Sequence, residues 1–550
     1  MISARTSGVP TEIETVTAAL QLDRDDARRL DDLGTQYLNV GRTEDAIAAY
    51  ERAVAVRDNF AAAHFHLGAA LHRAGRPTEA EPCYRRAIDL APELVDAHHN
   101  LGVVLQQLEN HAEAETAFRR VLSLDPGSAA AHLYLGISLA AQKRLDAAIA
   151  ALRAASTIEP DSAPVYLYLG IAFQQKQKLL KAAAYYRRAV ELDASLAIAI
   201  HNLGYVLREL GRLDEAIHWF RRAVALHPDA PLAHRALAVS LRDRGFTNEA
   251  FAAFRRYTEL TLAKPSRRAD PAIPPYRIKH DREQLDYLAE SGLAAAVALR
   301  DEMARAPLSP ERFHERFAAL FHIERGERTE RPAVNLRKDR AHMEKIWIER
   351  RPQIVILDDL LSPQALEELR WFCRGSTVWR NEYRDGYLGT MMECGFAQPL
   401  ILQIAEELAA ALPRIFRRLP LMQAWAFKYD SALRGIGVHA DFAAVNVNFW
   451  IAPDEANLDP QSGGLVIWDR PAPLTWDFAK YNRDVGAIRD FLARSGARSV
   501  KVPHRMNRAV IFDSDLFHET DEIAFKEGYL NRRINITFLY GRREQRVQTY

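Results

Sequence analysis

Leu-Gly pairs stand at Leu33-Gly34, Leu67-Gly68, Leu101-Gly102, Leu135-Gly136, Leu169-Gly170 and Leu203-Gly204, and Leu237-Ala238 continues the series at an unbroken 34-residue period. Small Ala46, Ala80, Ala114, Ala148, Ala182, Ala216 and Ala250 keep the same period. Four residues after most of them stands a ring: Tyr50, Tyr84, Phe118, Tyr186, Phe220 or Phe254. A spacing of four puts the small residue and the ring on one helix face, so two helices can approach closely beside each ring. Pro92, Pro126, Pro160 and Pro228 mark repeat ends. The pattern predicts seven antiparallel helix pairs over residues 27–264, stacked into a right-handed superhelix with a groove lined by each first helix.

Toward the C-terminus the period changes from helical to two. Val445, Val447 and Phe449 alternate with Asn446 and Asn448, and Ile534, Ile536 and Phe538 alternate with Arg533, Asn535 and Thr537. Residues 508–513 read as a further strand, feeding a polar turn before His518. Ser362 and Pro363 predict a helix start. Between the halves, residues 276–348 read as charged helices, periodic over 281–288 and 294–306 with a start at Ser309-Pro310-Glu311, expected to dock one half on the other. Residues 471–502 interrupt the strands with a helical stretch at 485–495, read either as a lid and substrate wall or as a plain surface helix. The expected segments are 1–26, an N-terminal piece; 27–264, the repeats; 265–350, a linker and docking segment opening on a Pro-rich joint; and 351–550, the strand-rich domain.

The candidate chemistry lies in that last segment. In His439-Ala440-Asp441 the outer residues share one side of an extended chain, and with His518 they make the two-imidazole, one-carboxylate set that holds ferrous iron by one face and leaves positions open. Arg533 lies in alternation with Asn535 and Thr537 on the polar face, and Arg532 faces away; a guanidinium there offers a planar fork to a carboxylate. Two solvated arginines at a strand start are the plainer reading. Asn446 and Asn448 either bind a co-substrate or satisfy neighbouring backbone.

The repeat series resembles the tetratricopeptide (TPR) proteins. Residues 353–541 resemble the iron(II)- and 2-oxoglutarate-dependent oxygenases, most closely their prolyl-hydroxylase-like branch. That likeness rests on the stretch from Gln353 to Pro363, which looks like the family's entry strand, on Tyr429 ahead of His439, the triplet with His518, the Ser462-Gly463-Gly464 strand and Arg533. It implies a multidomain chain, an all-α TPR superhelix followed by a double-stranded β-helix (jelly roll) with flanking helices. It further implies Fe(II) on His439, Asp441 and His518. Arg533, with Tyr429, Asn446, Asn448 and Thr537, would hold 2-oxoglutarate. Dioxygen would be consumed, ascorbate is a candidate reductant, and 2-oxoglutarate would leave as succinate and carbon dioxide while the substrate is hydroxylated. From the repeat resemblance, Phe65, His66, His99, Asn100, Leu133, Tyr134, Leu167, Tyr168, His201, Asn202 and Tyr205 line the groove or pack between repeats; the lining suits extended peptide backbone.

Composition narrows the partners. The 73 Lys and Arg against 72 Asp and Glu leave a net charge of +1, with no basic excess that points to nucleic acid or an anionic membrane. Three unpatterned cysteines, Cys83, Cys373 and Cys394, offer no disulfide framework or zinc spacing. No apolar stretch approaches the ~20 residues that span a bilayer, and no signal-like segment opens the chain, so a cytoplasmic location is expected. The sequence thus predicts a hydroxylase whose protein or peptide substrate is recruited by the groove. Two alternatives remain: an oxygenase of a small or carrier-bound metabolite with the repeats as assembly platform, or a repeat scaffold with a non-catalytic barrel.

Overall fold

The computed structural model describes residues 26–262, 273–324, 326–335, 340–383, 386–416, 418–431 and 435–543. Packing divides the chain into two units, Met1–Arg212 and Leu213–Tyr550. The division falls inside the repeat series. The Pro-rich joint lies, from residue 263 to 272, outside the described residues.

In the first unit eleven helices are described, from Ala27–Asn39 to Ala197–Glu209. The Leu-Gly pair has a steric cause. A Cβ at Gly34 would lie 2.6 Å from the Tyr50 ring, at Gly102 2.6 Å from Phe118 and at Gly170 2.5 Å from Tyr186; at Gly136 Leu152 takes the ring's place at 2.5 Å. The second helix of each pair thus seats its large side chain where the glycine has none. A second 34-residue series governs the turn after the first helix. Gly41, Gly75 and Gly211 have φ of +80°, +75° and +73°, while Glu109, Lys143 and Gln177 hold φ of +61°, +63° and +58° at equivalent positions. There a side chain endures a left-handed backbone that glycine adopts freely. Successive repeats are laced by exposed ion pairs such as Arg85–Glu113 at 2.5 Å and Arg188–Asp161 at 3.4 Å, each contributing at most about 1 kcal/mol.

The second unit begins with the helices Leu213–Leu226, Pro231–Arg244 and Thr247–Leu262. The last of these packs on the turn Met392–Cys394 and the helix Pro399–Ala411. The helix Pro275–Glu290, part of the stretch read from sequence as charged helices, buries Arg277, His280, Asp281 and Gln284. Asp281 accepts from Arg277 Nε at 2.8 Å and pairs with His280 and His314 at 3.1 and 3.0 Å. Burial works to raise its carboxyl, and Arg277 with the two histidines outweighs it, leaving Asp281 well below the ordinary range. Gln284 donates to the Arg374 and Ser376 carbonyls at 3.2 and 2.8 Å. The helix is therefore docked by hydrogen bonds to specific backbone groups, as buried charge and amide require.

Among the described residues ten strands follow: β1 Ile354–Leu357, β2 Asn381–Tyr383, β3 Tyr387–Met391, β4 Leu421–Tyr429, β5 Val445–Trp450, β6 Leu465–Pro471, β7 Ser499–Val502, β8 Ala509–Asp513, β9 Leu516–Thr520 and β10 Ile534–Tyr540. They form a seven-stranded sheet in the order β1-β8-β5-β10-β4-β3-β2 and a three-stranded sheet β7-β6-β9, with every pairing antiparallel. Trp450, Val510 and Phe512 of the larger sheet share a buried cluster with Leu465, Ile467, Val502 and Leu516 of the smaller, so the two pack face to face. The helix Pro363–Gly375 starts as the sequence predicts, the Ser362 hydroxyl accepting from Ala365 N.

Candidate metal centre

His518 lies within β9, not at the loop end suggested by the polar turn after β8: residues 514 and 515 make that turn and the chain resumes as a strand. His439 is outside regular strand. It forms an isolated antiparallel bridge with His518, His439 N donating to His518 O at 3.0 Å and His518 N to His439 O at 2.8 Å. The pairing sets the two imidazoles side by side, ring centroids 4.4 Å apart. One candidate ligand atom from each of His439, Asp441 and His518 lies within 4.8 Å of the others. His439 Nε2 is 3.9 Å from Asp441 Oδ1, and His518 Nε2 is 3.5 Å from Asp441 Oδ2.

The surroundings orient both imidazoles and set the charge state of His439 and Asp441. Nδ1 of His439 bonds the Gly437 carbonyl at 2.8 Å and Nδ1 of His518 the Leu516 carbonyl at 3.0 Å. A carbonyl only accepts, so each Nδ1 carries a proton and Nε2 is the ring nitrogen turned to Asp441. Burial, helped by the neighbouring His518, lowers the His439 imidazole to about 4, which keeps it neutral. Burial acts to raise the Asp441 carboxyl, but the two histidines and Asn446 outweigh it and hold it below its ordinary value. Neutral imidazoles and an ionised carboxylate are the forms that bind a metal.

Beside the triad runs a chain of polar side chains from β5 and β10. Asn446 Nδ2 donates to Asp441 Oδ2 at 2.7 Å, so this amide supports a ligand. Asn448 Nδ2 donates to Thr537 Oγ1 at 3.0 Å, Asn535 Nδ2 to Asn448 Oδ1 at 3.2 Å, and Arg533 Nη1 to Asn535 Oδ1 at 3.3 Å. Arg533 is buried, and its Nε and Nη2 donate to the carbonyls of Gly463 and Gly464 at 2.7 and 3.2 Å. The Gly-Gly pair therefore both turns the strand and seats the arginine. Gly464 could carry no side chain, since its Cβ would stand 1.9 Å from the Val502 carbonyl oxygen. Arg533 lies over the Tyr429 ring at 4.7 Å, and the Tyr429 hydroxyl is buried with no hydrogen-bond partner among the described residues. Arg532 turns the other way, to Glu283 at 2.7 Å.

Sequence reasoning overlooked much of the wall. Trp425 and Phe427 alternate with Tyr429 along β4 and face the same interior, a signal present in the period of two. A space of 30 Å³ touches all three metal-ligand candidates together with Trp425, Phe427, Thr520 and Asn535. A second, of 330 Å³, opens outward from His439 and Asp441. The 471–502 insertion reaches this second space through Phe478, Asn482 and Val485. It is also tied to the ligand triplet: Ala440 N donates to Tyr481 O, and Asn482 Nδ2 to Ala440 O, each at 2.9 Å. Of the groove candidates in the first unit, Tyr134 stacks on Phe118 at 5.6 Å, with His99 edge-on to both, so these three pack on one another.

Family models described as tetratricopeptide repeat match residues 32–94, 99–163 and 163–196, and one described as TPR repeat matches 204–245. The chain carries TPR repeats over these residues. No curated protein matches it. Among solved structures it is similar to YrrB, "a TPR protein with an unusual peptide-binding site" (24% identity, TM-score 0.32, 34% of this chain and 97% of that one). It is also similar to MamA of Desulfovibrio magneticus RS-1 (22%, 0.30, 31% and 97%) and pilF of Pseudomonas aeruginosa (22%, 0.34, 37% and 93%). No helix among the described residues is long and apolar enough to cross a membrane.

Proposed function

We propose that this TPR protein is an Fe(II)- and 2-oxoglutarate-dependent oxygenase that hydroxylates a protein or peptide recruited by its repeats. The carrying observation is the triad, whose two imidazoles are proton-fixed so that both Nε2 atoms converge on Asp441. Reading the paired sheets as a double-stranded β-helix is supported by the antiparallel order β8-β5-β10-β4 facing β7-β6-β9, with the His439 stretch bridged to β9.

The residues fit the groups such an enzyme needs. His439, Asp441 and His518 would hold Fe(II), and Asn446 steadies the carboxylate. Of the five guanidinium N–H groups of Arg533, three are taken by Gly463, Gly464 and Asn535. One remains on each terminal nitrogen, the pair that a carboxylate engages in bidentate fashion. The orphaned Tyr429 hydroxyl lies against the same guanidinium and supplies a further donor. When bound, iron and 2-oxoglutarate supply the oxidising chemistry, and the protein contributes orientation and exclusion of water. Trp425, Phe427, Ile436 and Leu465 are the apolar side chains that line the inner space.

Anaerobic titration of the full-length protein tests the reading. One Fe(II) per chain and Fe(II)-dependent consumption of 2-oxoglutarate are expected, and both should be lost in His439→Ala and Asp441→Ala. Unchanged iron stoichiometry in the two variants would reject the metal assignment.

A further inference from the structure

The 330 Å³ space beside the triad draws its walls from two sources: Tyr387, Trp425 and Phe427 from β3 and β4, and Phe478, Asn482 and Val485 from the insertion. Among the described residues lining it there is no Lys, Arg or Glu, and its one carboxylate, Asp441, belongs to the metal triad. A charged group entering would give up its hydration and meet no counter-charge among these lining residues except Asp441, which is committed to the triad, whereas an apolar group gains by leaving water. At the rim Phe478 and Val485 are each 42% exposed, and the Arg483 guanidinium lies over the Phe478 ring at 5.5 Å, outside the lining. One polar feature breaks the apolar wall. Asn482 must point its amide nitrogen at the Ala440 carbonyl, 2.9 Å away, because that oxygen only accepts. Its amide oxygen is left without a donor among the described residues, and the bond to Ala440 fixes it relative to the ligand triplet.

We infer that the group admitted to this site is uncharged and mainly apolar, with one hydrogen-bond donor received by the Asn482 oxygen, which makes Asn482 a specificity-determining residue. This rests on the oxygenase reading above and narrows its substrate class. Pocket size agrees, since 330 Å³ lies at the lower end of spaces that hold a small ligand and suits one side chain with its adjoining backbone.

The test uses full-length protein with Mn(II) and 2-oxoglutarate, probed by saturation-transfer NMR with the N-acetyl amides of leucine, tyrosine, lysine and aspartic acid. The leucine and tyrosine probes are expected to bind at least about tenfold more tightly than the two charged ones. Asn482→Ala should weaken the tyrosine probe by about five- to tenfold while changing the leucine probe little. Phe478→Glu, at a half-exposed position, should shift the preference toward the lysine probe. Comparing p-cresol with the tyrosine probe tells whether the group arrives as a small molecule or on a peptide backbone. Charged probes binding as tightly as neutral ones, or an unaltered preference in both variants, would overturn the inference. Mn(II) uptake is read by electron paramagnetic resonance in the same samples. Selectivity without uptake would reject the oxygenase reading alone; uptake without selectivity would reject the inference alone.

Discussion

The repeats of the first unit and the interior of the sheet domain solve opposite problems. In the repeats one steric solution, a ring seated on a glycine, recurs from pair to pair, and most ion pairs, such as Arg85–Glu113 and Arg188–Asp161, lie at the surface. In the sheet domain polar side chains are gathered inside and each position is used once: Asp441, Asn446, Asn448, Arg533, Asn535 and Thr537 are all buried. The first arrangement spreads stability over many equal contacts and tolerates local imperfection. The second concentrates structure and chemistry in the same few groups, where one misplaced atom disturbs both.

The sharpest test of that contrast compares two glycines. Gly464→Ala is expected to prevent folding of the sheet domain, because the new Cβ meets backbone atoms, the Val502 oxygen at 1.9 Å and His504 N at 2.8 Å. Gly102→Ala meets the Phe118 ring at 2.6 Å, which can tilt aside, and should cost about 1–3 kcal/mol. Limited proteolysis and thermal unfolding distinguish the two; a Gly464→Ala protein melting like the parent would remove the contrast.

Arg533→Ala should weaken 2-oxoglutarate binding by roughly 10- to 150-fold, the loss of a charged hydrogen-bond partner worth about 1.5–3 kcal/mol. Arg532→Ala, which loses the Glu283 pair instead, should leave that affinity nearly unchanged. Calorimetric titration of both variants decides, and the opposite ranking would move the co-substrate site off Arg533.

Next in size is a pH effect. His504 is buried, neither ring nitrogen has a hydrogen-bond partner among the described residues, and Asp454 Oδ1 lies 3.8 Å from Nδ1. Burial first, then Arg533 and Arg508, lowers its imidazole to about 3. The unfolded chain, titrating near 6.5, therefore binds the proton that the folded protein refuses. Stability is fully present above about pH 6.5 and is lost as pH falls toward 3, by about 2 kcal/mol between pH 7 and pH 5 for this one group. His504→Phe should flatten that part of the profile in urea unfolding at the two pH values; an identical slope in the variant would assign the loss elsewhere.

The smallest effect is a gain in the repeats. Lys143→Gly and Gln177→Gly, at φ of +63° and +58°, should each stabilise the first unit by about 1 kcal/mol, as release of left-handed strain exceeds the added chain entropy. A fall in the midpoint of thermal unfolding would show that these side chains hold the turn.

Much of the molecule was legible because its signals are local. The 34-residue spacing of Leu-Gly, alanine and ring specifies the helix pairs, since each pair buries its apolar face against near neighbours in the chain. The Ser362-Pro363 start is equally local. The alternation of Arg533, Asn535 and Thr537 with Ile534, Ile536 and Phe538 specifies which side of β10 faces the interior, and it separated Arg533 from Arg532 before any contact was known. What tertiary structure decided are relations between distant segments. His518 stands opposite His439 because β9 pairs back across 79 residues, and a polar turn at 514–515 reads in sequence like the end of a strand, not the start of another. Asn446 serves Asp441 and Asn448 serves Thr537, a distinction that two amides on one strand face cannot declare. The charged helix Pro275–Glu290 carries a surface-like composition and is buried nonetheless, because its partners are backbone carbonyls near residues 374–379 that no periodicity announces. Period and composition report the face a residue presents; the partner it meets there depends on closing long loops, which the sequence alone specifies only through the sum of all its contacts.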